Sequence, residues 1–489
     1  MPELFVDGEW RSAAEGGTRD LVNPYDGEVF RTVDEASAAD AEAAVLAARR
    51  CFDEGAWPAT PVAERAALLQ RTADLLQRDR EEIARTETLD TGKTLAESRI
   101  DVDDVTAVFR YYAEQVLVEV DRTVDAGRGD VVSRVVHLPV GVCSLIAPWN
   151  YPLLQMSWKV APALAAGNTV VLKPSEVTPL TTVHLVRLLA EAGVPDGAVN
   201  LVLGGGAAVG PVLTSHPAVD LVSFTGGLAT GRGILKAAAD TVKRVTVELG
   251  GKNPNIVFAD VDLDTAIDVV LTGVFLHSGQ VCSSGTRLIV EDSIADALLA
   301  GVAERAPRIR FGNGFTEGVE SGPLVSAAHR EKVESYVAIG LAEGAQLVTG
   351  GKRPDDPELQ RGFFFEPTIF DRCDRSMRIV REENFGPILT VERFTTEAEA
   401  IELGNDTEYG LAGGVQTADV ERGERVAAAL RHGTVWINDF GPYVPQAEWG
   451  GMKMSGNGRE LGPAGLAEYR ETKHVWRNTT PAVAGWFKG

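Results

Sequence analysis

The sequence predicts an α/β protein made of two doubly wound parallel-sheet units. Three observations carry this. From Val140 onward, short apolar runs alternate with stretches of helical periodicity, the pattern of a parallel sheet with crossover helices. The pattern restarts after Gly251, which marks a second unit. The chain has 489 residues, enough for two or three domains with sizeable cores.

Taken in order, residues 38–52, 63–76 and 94–116 show helical periodicity. Residues 118–137 are rich in Val and Arg and alternate in character, which predicts extended strands. Residues 138–158 form 21 positions without a charge, long enough to span a bilayer. Pro139, Pro148, Asn150 and Pro152 fall within them, and a membrane helix does not place such a cluster there without help from neighbouring helices. A buried strand, a turn and a helix start fit instead, so no membrane partner is expected. Strands follow at 169–172, 199–203, 221–224 and 244–247, with helices near 180–192 and 230–239. Gly204-Gly205-Gly206 reads as a loop before a short helix. After Gly251 a strand is predicted at 256–258, a helix at 263–275 and a strand at 286–290.

Hydrophobic residues make up 44% and charged residues 24% of the chain, as in ordinary soluble globular proteins. The net charge of −23 argues against nucleic acid, because phosphate binding needs a basic surface. It weakly favours cationic small molecules. Cys51, Cys143, Cys282 and Cys373 are scattered without paired spacing. They form neither a disulfide framework nor a zinc site, so no metal is expected and a reducing, cytoplasmic compartment is the natural reading. The first seven residues carry acids and no apolar core, unlike a signal peptide.

Two segments carry chemistry. Cys282 lies in Ser278-Gly279-Gln280-Val281-Cys282-Ser283-Ser284-Gly285, and Glu248 lies upstream in Glu248-Leu249-Gly250-Gly251-Lys252. A thiolate attacks a carbonyl, and a carboxylate takes a proton from the thiol or from water. A cysteine in a mixed α/β chain is usually an inert buried residue. Here its small and polar neighbours suit an accessible turn.

Both segments resemble the NAD(P)-dependent aldehyde dehydrogenase superfamily, and further segments extend the likeness. Pro148-Trp149-Asn150-Tyr151-Pro152 resembles its asparagine motif, and Leu172-Lys173-Pro174-Ser175-Glu176 its adenosine-ribose motif. Phe224-Thr225-Gly226-Gly227 resembles its glycine turn, and Glu382-Glu383-Asn384-Phe385-Gly386-Pro387 its second ribose motif. Asn405-Asp406-Thr407-Glu408-Tyr409-Gly410-Leu411 and Gly450-Gly451-Met452-Lys453 are similar to family segments as well. The matches keep family order from about residue 20 to residue 475.

The resemblance implies an aldehyde dehydrogenase-like fold. Residues 1–117 and 141–250 would bind NAD, and 251–469 would carry catalysis. Residues 118–140 and 470–489 would form a small oligomerisation sheet joining a homodimer or homotetramer. It also implies NAD-dependent oxidation of a small-molecule aldehyde to a carboxylic acid. Cys282 would form a thiohemiacetal and then a thioester. Asn150 and the Cys282 backbone N–H would hold the oxyanion. Glu248 would activate the hydrolytic water, helped by a raised pKa, and Glu460 is carried over as a further catalytic position. Relatives that acylate CoA typically lack the glutamate, so its presence favours a free acid product. A catalytically silent structural relative is disfavoured, because Cys282, Glu248 and Asn150 are all present.

Cofactor contacts carried over fall on Trp149, Lys173, Ser175, Glu176, Gly227, Glu383 and Phe385. No Gly-x-Gly-x-x-Gly follows the first strand. Instead Gly226 and Gly227 would let the backbone approach the pyrophosphate, with a helix starting near Thr230. Many relatives have Ser at Gly227. Glu176 would accept from a ribose hydroxyl but repel a 2′-phosphate, favouring NAD over NADP.

Tyr151, Trp158 and Trp449 match aromatic positions with which betaine aldehyde and aminoaldehyde dehydrogenases box a cation. The same rings suit an apolar aldehyde, and Leu276 replaces an aromatic found in some plant enzymes. Betaine aldehyde, an ω-aminoaldehyde and an uncharged aldehyde therefore stay open. An anionic semialdehyde would need an arginine pocket that the sequence does not reveal.

Overall fold

The computed structural model describes residues 3–118 and 121–487. Within the predicted N-terminal and oligomerisation segments, Met1, Pro2, Glu119, Val120, Lys488 and Gly489 lie outside the described residues.

The first sheet is centred on five parallel strands. Their order is Arg244–Glu248, Leu221–Thr225, Val142–Ile146, Thr169–Lys173 and Val199–Leu201. Every residue of the middle three strands is buried. Such strands are covered on both faces, so they read as apolar runs rather than as alternating patterns. The chain leaves Val142–Ile146 in one direction and later returns to its other side at Leu221–Thr225. That reversal is the switch point where open α/β sheets leave a crevice at the carboxyl ends of their strands.

The second sheet orders Thr368–Asp371, Ile388–Phe394, Arg287–Glu291, Pro254–Val257, Ala412–Gln416 and Thr434–Ile437 in parallel. An antiparallel edge strand, Gln346–Thr349, completes it. A third sheet joins Arg470–Asn478, Val131–Pro139 and Arg122–Val124. No helix among the described residues is long and apolar enough to cross a membrane.

Several elements depart from the expectation. The N-terminal strands Leu4–Val6 and Glu9–Arg11 extend the first sheet antiparallel, and three residues are too few to show a period. Gly456–Asn457 closes its opposite edge, also antiparallel. Helix Arg80–Thr91 was not anticipated. Its buried positions include Glu87, Thr88, Asp90 and Thr91, so it lacks an apolar stripe. The helix expected from Thr230 begins at Leu228, because Gly226 and Gly227 alone suffice for the turn.

Candidate active site

The nucleophile turn is fixed from both sides. The Ser284 N–H donates to the Val281 carbonyl at 3.0 Å. Strand Pro254–Val257 runs parallel beside Arg287–Glu291. This places Asn253 so that its Nδ2 donates to the carbonyls of Cys282 and Ser284, both at 2.9 Å. A Cβ at Gly251 would come within 2.7 Å of the Cys282 carbonyl oxygen, so the glycine before Lys252 permits that approach. Upstream, His277, Ser278 and Gly279 take φ of 50°, 53° and 71°. Three successive left-handed residues are costly unless the surroundings hold them. Here the His277 N–H donates to Glu97 Oε1 at 3.1 Å, and Ser278 Oγ to the Gly322 carbonyl at 2.6 Å.

Asn150 follows the central strand and precedes helix Pro152–Ala166. Its Nδ2 donates to the Gln280 carbonyl at 2.9 Å, which ties the amide to the nucleophile turn. Glu248 ends strand Arg244–Glu248. Neither of its oxygens makes a well-formed hydrogen bond among the described residues, the Gly451 N–H being a weak neighbour. Burial, then the charge of Glu460, holds its pKa well above the usual carboxylate range. Burial likewise pushes the half-buried Cys282 thiol up to about 12, aided by Glu383 and Glu248. Burial thus shifts both thiol and carboxyl toward their neutral forms. Glu460 stands behind Glu248, ion-paired with the buried Lys159, whose Nζ also donates to Thr225 Oγ1 at 2.7 Å.

Cys282 lies between two cavities. The first, about 700 Å³, lies between the carboxyl ends of the first sheet and the loops entering the second. Asn150, Glu248, Trp149, Gly227, Glu383 and Phe385 all line it with Cys282. The Trp149 ring meets Phe385 at 5.3 Å and His329 at 5.0 Å. Phe385 is itself left-handed, with φ of 60°, and His329 bonds its carbonyl at 2.8 Å. Glu383 accepts from the Gly251 N–H at 3.0 Å. A Cβ at Gly250 would fall 2.0 Å from a Glu383 oxygen, so this glycine makes room for the carboxylate. Gly227 caps helix Leu228–Ala238 without a side-chain hydrogen bond, and a Cβ there would meet nothing within 4 Å. An open helix start for a pyrophosphate and a carboxylate for ribose hydroxyls fit a dinucleotide.

Lys173, Ser175 and Glu176 do not line this cleft. Lys173 ends the strand Thr169–Lys173 and the other two follow it; Lys173 Nζ donates to the Pro174 carbonyl at 3.0 Å and stands 3.4 Å from Glu176. Ser175 Oγ accepts from the Val177 N–H at 3.4 Å. His329 and Lys332 belong to the cleft wall but were missed, since neither sits in a glycine-marked motif.

The second cavity, about 1140 Å³, reaches Cys282 from the other side. Tyr151, Trp158 and Trp449 line it, with the unforeseen Tyr443. Trp158, Tyr443 and Trp449 pack edge to face, with centroids 5.2, 5.9 and 6.0 Å apart. Tyr151 differs, because the Lys93 ammonium sits 3.6 Å from its ring centroid. One ring face is therefore already held by a cation of the protein. Leu276 is exposed at this cavity. Glu97, Asp101 and Asp104 complete the wall, with no arginine among the described lining residues. Tyr443 Oη donates to Asp104 Oδ2 at 2.6 Å.

A thiol that shares one wall with a buried carboxylate, beside a cleft fitted to a dinucleotide, has the chemistry of a cofactor-dependent oxidoreductase working through a cysteine adduct. The chain belongs to the aldehyde dehydrogenase family, whose profile matches residues 10–475. It is 58% identical over 484 residues to the betaine aldehyde dehydrogenase of Bacillus subtilis (strain 168), covering 99% of each chain. It is 42% identical over 492 residues to a peroxisomal aminoaldehyde dehydrogenase of Malus domestica, covering 99% of this chain and 97% of the other. The crystal structure of Staphylococcus aureus betaine aldehyde dehydrogenase in complex with NAD+ superposes with a TM-score of 0.99 at 51% identity, covering 100% of this chain and 96% of that one.

Proposed function

We propose that the protein oxidises betaine aldehyde to glycine betaine with NAD. The observation that carries this reading is the second cavity, where three packed rings stand before the nucleophile with the carboxyls of Glu97 and Asp104, Asp101 being ion-paired with the buried Lys93, and with no arginine among the described lining residues. Ring faces attract quaternary ammonium groups, and the carboxylates add attraction for a cation. The absence of a lining arginine speaks against an anionic semialdehyde. An ω-aminoaldehyde is the second reading, because Glu97 and Asp104 could accept hydrogen bonds from a primary ammonium, which a trimethylammonium cannot donate.

The chain's residues divide the reaction. Glu248 takes the thiol proton, and Cys282 attacks the aldehyde carbon. The Asn150 amide and the Cys282 N–H hold the resulting oxyanion, each such donor being worth about 3 kcal/mol. The nicotinamide of NAD, when bound, would accept the hydride, and its positive charge would favour the ionised forms of the thiol and carboxyl. Glu248, having released the thiol proton to solvent, then activates the water that hydrolyses the Cys282 thioester. Lys159, paired with Glu460, supplies positive charge behind Glu248. Trp149, Gly227, Glu383 and Phe385 would seat the nicotinamide half, and Lys173, Ser175 and Glu176 the adenosine half. In this reading residues 1–117 and 141–250 bind the cofactor, and 251–469 carry the nucleophile. Residues 118–140 and 470–489 join copies into a dimer or tetramer. A cytoplasmic setting accords with four free thiols.

The test compares betaine aldehyde with its uncharged isostere 3,3-dimethylbutanal, by NADH absorbance. The cation should show kcat/KM higher by about tenfold or more. Equal values would reject the cationic substrate and leave the dehydrogenase class intact.

A further inference from the structure

Residues 93–97 take no part in the chemistry, yet they hold the nucleophile turn twice, both times at His277. Thr94 and Glu97 form a capping box where helix Leu95–Val118 begins. The Glu97 N–H donates to Thr94 Oγ1 at 3.2 Å. Glu97 Oε2 accepts from the Thr94 N–H at 2.8 Å and from its hydroxyl at 2.7 Å. That leaves Glu97 Oε1, which reaches across 180 positions of sequence to accept from the His277 N–H at 3.1 Å. The second hold is on the His277 ring. It packs edge to face on Tyr151, with centroids 5.5 Å apart. Lys93 sits on the Tyr151 ring and is itself fixed by Asp101 at 2.5 Å.

His277 is where strain enters the turn. It is the first of the three left-handed residues, and such backbone keeps its shape only while its surroundings hold it. Its carbonyl accepts from the Gln280 N–H and from Gln280 Nε2, both at 3.1 Å. The Gln280 carbonyl in turn accepts from Asn150 Nδ2 at 2.9 Å, and Cys282 lies two residues further on. A chain of hydrogen bonds thus runs from a carboxyl in the wall of the second cavity to the amide assigned to the oxyanion.

We propose that Glu97 is a positioning residue for the nucleophile, fixing the strained turn from the wall of the substrate cavity. The inference rests on the reading of Cys282 as the nucleophile. One carboxyl then has two separable duties. Its charge faces the cavity, and its reach sets the turn. Unlike the rings of that wall, it should matter to every aldehyde.

The test is Glu97→Asp in the full chain. Asp40 fills the same capping-box position with Ser37 at the start of helix Ala38–Glu54, so the substitution keeps both box and charge. One methylene shorter, the side chain withdraws from the His277 N–H. kcat/KM should fall by about tenfold for betaine aldehyde and 3,3-dimethylbutanal alike. The rate at which iodoacetamide alkylates Cys282, read by peptide mass spectrometry, should change by more than about twofold. Thr94→Ala is the converse. It weakens the box and lowers the melting temperature, but it leaves the bond to His277, so both rates should stay within about twofold of the parent. If Glu97→Asp leaves either rate within about twofold of the parent, the positioning role is overturned. A loss confined to the cation overturns it too, because Glu97 would then act by charge alone. Equal losses in Glu97→Asp and Thr94→Ala would reduce Glu97 to a helix cap. If the parent still turns over with Cys282 fully alkylated, the nucleophile reading falls and the inference with it. Should Glu97→Asp lose its melting transition, Glu97→Gln decides: its single oxygen cannot serve Thr94 and His277 together, and unchanged rates reject the proposal.

Discussion

The cleft on one side of Cys282 is walled by strand ends and glycine turns, whereas the cavity on the other side is walled by side chains from distant segments. In the cleft, Gly250 matters because it leaves space for Glu383, and Glu383 is held by a backbone N–H. In the cavity, positions 97–104, 151–158, 276–283 and 440–449 converge, and the wall is rings and carboxylates. The difference separates two kinds of recognition. A wall of backbone serves one ligand shared by every turnover. A wall of side chains can be changed by single substitutions without disturbing the chemistry beside it. Changes at the junction or in the cleft should therefore impair all aldehydes alike, and changes in the cavity should discriminate among them.

The largest effect belongs to the junction. Cys282→Ala should abolish turnover of every aldehyde, by about four orders of magnitude or more, while NAD binding by calorimetry survives. Cys51→Ser and Cys373→Ser should remain active. Retained NADH formation by Cys282→Ala would overturn the whole assignment.

Glu248→Gln should slow the steady state by about a hundredfold for cationic and neutral aldehydes alike. Rapid mixing should show an NADH burst that is slower than the parent's first turnover, because the thiol also loses its base, but faster than the variant's steady state, followed by an acyl adduct visible by mass spectrometry. Burial raises the Glu248 pKa, so the base is lost as pH falls through that raised value. The parent's hydrolytic rate should climb with pH above the ordinary carboxylate range, and the variant should lose that limb. Normal turnover without an adduct would remove Glu248 from the mechanism.

In the cavity, Trp449→Ala should raise KM for betaine aldehyde by about tenfold and for 3,3-dimethylbutanal less. An equal loss for both would make Trp449 ordinary apolar lining. Trp449 is itself buried, so a lower melting temperature is expected as well.

Asp104→Asn should give the smallest change, a rise of about threefold in KM for the cation alone, shrinking at high salt. Burial raises the Asp104 pKa despite the Tyr443 hydrogen bond. The parent's KM for the cation should accordingly rise as acidification protonates Asp104. A KM that is flat with pH and salt would place the cation elsewhere in the cavity.

Legibility in the sequence followed the same division. Cys282, Glu248 and Asn150 sit in compact motifs, and the structure brings them to one cavity wall. Gly227 and Glu383 were legible for the same reason, since each needs only its near neighbours. His329 and Lys332 were not, because an ordinary helix, Ala327–Ala342, delivers them. Tyr443 and Asp104 were missed because their contact spans 339 positions. Tyr151 was read with Trp158 and Trp449 as one of three rings around the substrate, and only the packing of Lys93 against it showed one face to be taken.

The sequence by itself determined the two parallel-sheet units and marked Cys282, Glu248 and Asn150 as the residues of one candidate site. Each is written in local pattern, as an apolar run, a glycine turn or a chemical group flanked by small residues, and such signals act within a few positions. Only the tertiary structure decided which carboxylates line the second cavity, which rings touch one another, and how a two-residue strand from near the C-terminus closes the first sheet. Those features depend on where segments hundreds of residues apart come to rest. Burial fixes that position collectively, because it rewards apolar area removed from water without regard to the order of residues along the chain.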